Sequence, residues 1–67
     1  MFAVIKENRD RSITRLLSCR TLEAVIVASQ TEKNKVPLAD RTRIRAVAMS
    51  QGDSLRVDDG GYTEIVL

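Results

Sequence analysis

Hydrophobic and polar residues alternate along the segment Thr42–Met49, TRIRAVAM. Every second side chain of an extended chain falls on the same side, so a period of two is typical of a β-strand. The pattern therefore predicts a strand with small aliphatic side chains on one side and mostly arginine on the other. The first side carries Thr42, Ile44, Ala46 and Ala48, and the second carries Arg41, Arg43, Arg45, Val47 and Met49.

Two turn signals follow this strand and divide the C-terminal third into a meander. Ser50–Asp53 contains a glycine that is free to take a positive φ, and Asp59–Gly61 is typical of a hairpin loop. We expect two further strands, Ser54–Asp58 and Tyr62–Leu67. This arrangement sets the following pairs opposite one another: Ala48 and Leu55, Ala46 and Val57, Arg45 and Asp58, Leu55 and Ile65, Val57 and Thr63, and Arg56 and Glu64.

A helix over Leu38–Ser50 is the alternative for the start of this region. Short apolar runs do not distinguish the two periods, and a helix here would place Arg41 and Arg45 one turn apart. The strand is the preferred interpretation. Its small residues Ala46 and Ala48 leave room for a helix to pack closely over it.

The N-terminal part of the chain predicts a hairpin. Phe2–Glu7, FAVIKE, is expected to be a strand, the polar residues Asn8–Arg11 a turn, and Ser12–Ser18 the return strand. The short connection favours a hairpin over a continuous helix. In the expected register, Ile5 faces Thr14 and Ala3 faces Leu16.

The segment after this hairpin predicts a helix. Thr21 is a suitable N-cap, Glu23 lies in the first turn, and Pro37 prevents continuation beyond about Asn34. The alternative is one long helix from Asp10 to Asn34, because apolar residues also recur there at helical spacing.

Together these elements predict a single domain, residues 1–67, of the α+β class. We expect an antiparallel sheet of about five strands with one helix packed on one face, in the order β-β-α-β-β-β. A chain of this length buries only about 60% of the surface that its unfolded form exposes. Since Phe2 and Tyr62 are its only aromatic residues, the core must be thin and aliphatic.

Composition removes several classes of function. The chain has no histidine and a single cysteine, Cys19, so the commonest general base and metal ligand is absent, and neither an internal disulfide nor a cysteine-based zinc site can form. The longest apolar run, Ala24–Ala28, is far shorter than the roughly 20 residues of a membrane span. We therefore expect a cytoplasmic, non-enzymatic protein without cofactor, metal or membrane association, and a buried Cys19.

The distribution of charge indicates where a partner would bind. Residues 32–45 carry five basic and two acidic side chains, whereas residues 46–67 carry one basic and four acidic ones. A row of guanidinium groups can pair with phosphates or with a partner's carboxylates. The alternative is a solvated face balanced by Asp58 and Glu64. The predicted partner-binding residues are Lys33, Lys35, Arg41, Arg43, Arg45 and Tyr62.

The order of these segments resembles that of some phage anti-CRISPR proteins, which combine a β-hairpin, one helix and a β-meander. The resemblance covers most of the chain through short motifs: FAVIKE, Ala24 to Ser29 on the helix, Gly52-x-x-Leu55, and Asp59-Gly60 followed by an aromatic residue.

This resemblance implies a small, non-catalytic, phage-derived inhibitor that acts in the host cytoplasm. Such a protein uses basic and polar side chains to occupy the groove of a bacterial surveillance complex where target DNA lies. Its partner is then a protein or a protein–nucleic-acid complex, and direct nucleic-acid binding is compatible with it. Where these inhibitors present basic helix residues, this chain has Val25 and Ile26, so the contact would move to Arg41, Arg43 and Arg45.

A second resemblance is to the swapped-hairpin regulators of the AbrB and antitoxin type. It is carried by Val36-Pro37, by Gly52-Asp53-x-Leu55-x-Val57 and by Ile65-Val66-Leu67. It implies a DNA-binding protein that must dimerise, because half of the barrel has no core alone. The sequence leaves both a monomer and a homodimer open.

Overall fold

Four antiparallel strands, one α-helix and one 3₁₀ helix make up the computed structural model, which describes residues 1–53 and 60–66. The strands lie in one sheet in the order β2-β1-β3-β4. The elements are β1 (Phe2–Glu7), β2 (Ile13–Cys19), α1 (Leu22–Asn34), the 3₁₀ helix (Leu38–Arg43), β3 (Ile44–Asp53) and β4 (Tyr62–Glu64).

The strand β1 lies inside the sheet because it is apolar on both faces. Ala3, Val4 and Ile5 are consecutive and fully buried, a pattern typical of a strand that is covered on both sides. Ala3 and Ile5 belong to one apolar cluster, while Val4 belongs to the other. The sheet therefore separates two small aliphatic cores, one on each face.

The helix α1 covers one of these faces, as predicted. Thr21 is its N-cap, and the Thr21 hydroxyl oxygen accepts a hydrogen bond from the Ala24 amide at 3.1 Å. Val25 and Ser29 face the sheet and are buried, and the Ser29 hydroxyl donates to the Ile26 carbonyl at 2.8 Å. The core on this helix-covered face contains Val4, Cys19, Val25, Ile44 and Ala46. The expected burial of Cys19 is confirmed.

A β-bulge in β2 corrects the predicted register of the first hairpin. Val4 pairs with Leu17, but Ile5 pairs with Arg15, so Leu16 is an extra residue. The hairpin is present, but the expected pairs of Ile5 with Thr14 and Ala3 with Leu16 are wrong. The physical reason is that an uninterrupted strand would place Ile13, Arg15, Leu17 and Cys19 on the same face. The bulge instead directs Ile13 and Arg15 away from α1, and Leu17 and Cys19 towards it.

The C-terminal meander also differs from the prediction. The expected turn at Ser50–Asp53 is wrong, because β3 continues through Asp53. Ala48 pairs with Thr63 rather than with Leu55, and the Ile65 amide donates to the Ala46 carbonyl at 2.9 Å.

β4 lies directly beside β3. Arg45 pairs with Ile5 of β1, and its predicted partner Asp58 lies outside the described residues. The strand predicted over Tyr62–Leu67 ends at Glu64, and the predicted strand Ser54–Asp58 lies outside the described residues, as does Leu67.

The segment before β3 corrects the predicted row of arginines. Residues 38–43 form a 3₁₀ helix that starts after Pro37, whose carbonyl accepts from the Asp40 amide at 2.9 Å. The expected strand therefore begins at Ile44 and not at Thr42, and the alternative helix over Leu38–Ser50 is wrong beyond Arg43. As a result, only Arg45 of the three arginines lies on the strand.

The predicted class, an α+β fold with a single antiparallel sheet and one helix on one face, is confirmed, with four strands rather than five in the part of the chain that the structure describes. Within this part, no helix combines the length and the apolar character needed to cross a membrane.

Candidate partner-binding surface

Basic side chains from separate segments meet at one end of the sheet, where β1 ends and β3 begins. Lys6 pairs with Ile44 across these strands, and the hairpin that follows β1 carries Arg9 and Arg11. The 3₁₀ helix contacts both α1 and β3 and therefore brings the C-terminal end of α1 close to this end. We call this set the basic end; its members are Lys6, Arg9, Arg11, Lys33, Lys35, Arg41, Arg43 and Arg45.

The basic end holds a disproportionate share of the charge of the chain. Eight of the eleven lysines and arginines belong to it, whereas only four of the nine acidic residues lie in the same segments: Glu7, Asp10, Glu32 and Asp40. The remainder of the chain is net acidic. An anionic partner would therefore approach this end first, because the summed field of the protein orients the encounter.

Three ion pairs neutralise part of the basic end. Arg45 Nη2 donates to Glu7 Oε1 at 2.8 Å, and both side chains are about one-third exposed. Lys35 Nζ lies 3.2 Å from Glu32 Oε2. Arg43 Nε lies 3.7 Å from Asp40 Oδ1, which is an ion-pair distance but too long for a good hydrogen bond.

Other cations of this end have no anionic partner within the described residues. Neither Lys6 nor Arg9 takes part in an ion pair or a side-chain hydrogen bond there. Arg41 Nε is buried and lacks a hydrogen-bond partner. Lys6 and Arg9 retain their capacity to bind an anion, since no internal carboxylate competes for them, whereas the buried Nε of Arg41 is not accessible to a partner.

A cleft lies between the β1–β2 hairpin and the 3₁₀ helix, at the centre of the basic end. Its volume is about 320 Å³, near the lower limit of typical ligand sites. All its lining residues are charged or polar, so the apolar surface that it offers is that of their methylene groups. They are Lys6, Glu7, Asn8, Arg9, Asp40 and Arg43.

The hairpin turn that forms one wall of the cleft is held by local hydrogen bonds. The Asp10 carboxylate accepts from the Ser12 amide at 3.0 Å and from the Ser12 hydroxyl at 2.6 Å. These bonds lower the pKa of Asp10 below its ordinary value. The Asn8 side-chain amide donates to the hydroxyls of Ser12 and Thr14. The turn therefore presents Arg9 from a defined backbone.

The sheet face opposite α1 carries two arginines beside Ile5. Ile5 pairs with Arg15 on one side and with Arg45 on the other. Arg15 Nη2 lies 4.0 Å from Met49 Sδ on β3, although β1 separates the two strands. The Arg15 side chain therefore crosses β1 and covers apolar surface with its methylene groups, which explains how Ile5 is buried on a face without the helix.

The predicted partner-binding residues are brought together with one exception. The structure gathers Lys33, Lys35, Arg41, Arg43 and Arg45 at the basic end, although not as a single row on a strand. Tyr62 pairs with Met49, four residues along β3 from Arg45 and so about 13 Å away. It packs against the core of the helix-free face.

Sequence reasoning predicted only Arg43 of the cleft and missed its two other cations, Lys6 and Arg9. Their charge was visible, but each lies more than thirty positions before Arg43. The only sequence signal was the predicted hairpin, which places both residues near the same strand end. The pairing of β1 with β3, which brings that end to the 3₁₀ helix, has no local signature.

Among residues 1–53 and 60–66, no group of three or more cysteine, aspartate or glutamate side chains is arranged to hold a metal ion. A comparison with protein-family models, with curated proteins and with solved structures finds no match to this chain.

Proposed function

We propose that this chain is a small, non-catalytic binding protein that inhibits a nucleic-acid-handling complex of a host cell. The basic end carries the contact. The observation that supports this proposal most is the convergence of cationic side chains from the first hairpin, the 3₁₀ helix and the start of β3. Guanidinium groups held on a rigid framework are suited to phosphate and carboxylate recognition.

The partial neutralisation of this end favours a specific contact over a general nucleic-acid coat. Arg45 and Lys35 are engaged by Glu7 and Glu32, whereas Lys6 and Arg9 have no acidic partner within the described residues. Some cations of the basic end are therefore paired with carboxylates, while others are unpaired. A partner must present anionic groups opposite the open cations and avoid the carboxylates.

The kind of partner follows from the resemblance to small phage anti-CRISPR proteins. Those proteins place basic and polar groups in the groove where target DNA lies. The basic end of this chain is suited to the same role, because its cations lie on one end of a small sheet. This proposal includes a phage origin and action in the host cytoplasm.

A phage-plating assay tests this function. Bacteria with an active type I or type II CRISPR–Cas system that targets a phage would express the chain or a charge-reversal variant. We expect the native chain to restore plaque formation with at least one such system. The double variant Arg9→Glu/Arg43→Glu should fail to restore it, because the field of the basic end is reversed where the partner binds.

The control Arg20→Glu reverses one exposed arginine outside the basic end and is matched in charge to the single variant Arg9→Glu, which is tested beside the double variant. Arg20→Glu should inhibit as well as the native chain. Arg45 is unsuitable for this test, since its guanidinium bonds Glu7 and its loss would disturb the sheet. Undiminished targeting in every system, with the chain folded and expressed, would contradict the proposal, and so would full inhibition by the double variant.

A further inference from the structure

The cleft between the hairpin and the 3₁₀ helix is a built concavity rather than a flat charged surface. Its two walls come from distant parts of the sequence, and the pairing of Lys6 with Ile44 fixes their separation. One wall presents Lys6 and Arg9, and the other presents Arg43. Three cationic groups therefore surround one cavity of about 320 Å³.

The two carboxylates of the cleft do not cancel this charge. Glu7 is held at 2.8 Å by Arg45, a residue that is not part of the lining. Asp40 Oδ1 lies 3.7 Å from Arg43 Nε, and the two terminal nitrogens of that guanidinium make no hydrogen bond within the described residues. Three cations and two carboxylates therefore line the cavity, and one of the carboxylates is neutralised by Arg45 from outside the lining. An anion is therefore the favoured occupant.

The chemistry of the lining selects among anions. The lining contains no apolar residue, so the apolar part of an amphipathic or aromatic carboxylate would meet only the methylene groups of charged and polar side chains. A phosphate group offers several oxygens in different directions, and it can accept from Lys6, Arg9 and Arg43 at once, as the planar fork of arginine and the point charge of lysine each allow.

We propose that this cleft binds one phosphodiester group of a nucleic-acid backbone through Lys6, Arg9 and Arg43. The inference rests on the proposed function in that it specifies what part of a nucleic-acid-handling complex the basic end contacts. The site reads no base, since it contains no aromatic residue on which a base could stack. Binding is consequently independent of sequence and dependent on salt.

Fluorescence anisotropy of the full chain tests the site directly. The probes are a labelled oligothymidine and a labelled mixed-sequence duplex, each titrated at about 50 mM and about 200 mM salt. The variants are Arg9→Glu and its matched control Arg20→Glu. Both reverse one exposed arginine and change the net charge equally, but only Arg9 lines the cleft.

We expect at least one probe to bind the native chain at the lower salt concentration. Arg9→Glu should weaken that binding at least tenfold and reduce the salt slope by about one, whereas Arg20→Glu should weaken it less than about threefold. Lys6→Gln should weaken it in the same direction as Arg9→Glu. Equal losses from Arg9→Glu and Arg20→Glu would overturn the site, and so would the absence of binding to both probes.

Inorganic phosphate distinguishes a free phosphate from a backbone phosphate as the source. The amide resonances of Asn8–Arg11 and Asp40–Arg43 would be followed by NMR with phosphate and with oligothymidine. Larger shifts with the oligonucleotide at equal phosphate concentration support the inference. Shifts with inorganic phosphate alone would overturn it.

The two proposals fail separately. A chain that restores plaque formation but binds neither oligonucleotide keeps the inhibitory function and loses the phosphodiester site. A chain that binds an oligonucleotide through the cleft but inhibits no CRISPR–Cas system keeps the site and loses the proposed function.

Discussion

At the residue scale, Arg11 is the least expected feature of the chain. Its φ is 71°, in the left-handed region that favours glycine, and it is the only described non-glycine residue with a positive φ. The Arg11 amide donates to the Asn8 carbonyl at 3.0 Å and closes the first hairpin. A side chain at such a position costs about 1–2 kcal/mol relative to the right-handed region. The turn therefore holds Arg11 in a backbone conformation that arginine disfavours.

We predict that Arg11→Gly stabilises the protein by about 0.5–1 kcal/mol, because the relief of strain exceeds the entropy that glycine adds to the unfolded chain. Urea denaturation followed by circular dichroism measures the change. Arg9→Gly is the control; Arg9 has no positive φ, so the same substitution two residues earlier should lower stability. Equal effects of the two substitutions would contradict this explanation.

At the scale of elements, the bulge at Leu16 lets one alternating segment serve two cores. Before it, Ile13 packs with the core of the helix-free face, and after it, Leu17 packs with the core beneath α1. The side chain of Leu16 is itself 37% exposed. The bulge therefore acts by orienting the side chains on either side of it rather than by burying Leu16.

Deletion of Leu16 is predicted to leave the fold intact. It makes the pairing of β2 with β1 continuous, and Arg15 and Leu17 keep their partners Ile5 and Val4. We expect a loss of about 1 kcal/mol, as for other changes at partly exposed positions, and a cooperative thermal transition in calorimetry.

The contrasting variant is deletion of Ala46 from β3, which has no bulge in its pairing with β1. There a one-residue shift turns one half of the strand over, because side chains alternate with a period of two. This variant should lose the cooperative transition. If both deletion variants fold cooperatively, or if neither does, the bulge does not determine which face of the sheet the side chains of β2 occupy.

At the scale of the whole molecule, both cores are made by this chain alone. The Cα radius of gyration is 11.0 Å, in agreement with the roughly 11 Å expected of a compact chain of this length. β3 pairs with β1 and β4 of the same chain. A swapped-hairpin dimer instead requires the C-terminal half of each chain to complete the other.

We therefore predict a monomer at micromolar concentration. Small-angle scattering combined with light scattering should give a mass near 7.5 kDa and no dependence of the radius on concentration. A stable dimer that binds duplex DNA and dissociates only on unfolding would contradict this prediction and favour the second resemblance, to dimeric DNA-binding regulators.

The sequence by itself determined the identity of most elements, because the signals for them are local. The strand β1 follows from a short apolar run, and α1 follows from its N-cap Thr21 and from Pro37 beyond its end. The two faces of β3 after Ile44 follow from strict alternation, but the second core, which contains Val47 and Met49 on the face predicted to point outward, was not predicted. Each of these features is encoded within a few neighbouring residues.

Only the tertiary structure decided how these elements meet. The bulge at Leu16 and the pairing of β4 beside β3 depend on contacts between distant segments. The cleft that joins Arg9 to Arg43 depends on the same contacts. Alternation specifies which side chains of a strand share a face. How the faces of different strands lie against one another depends on the register and on the turn lengths. Both the register and the turn lengths are set by the packing of the whole chain.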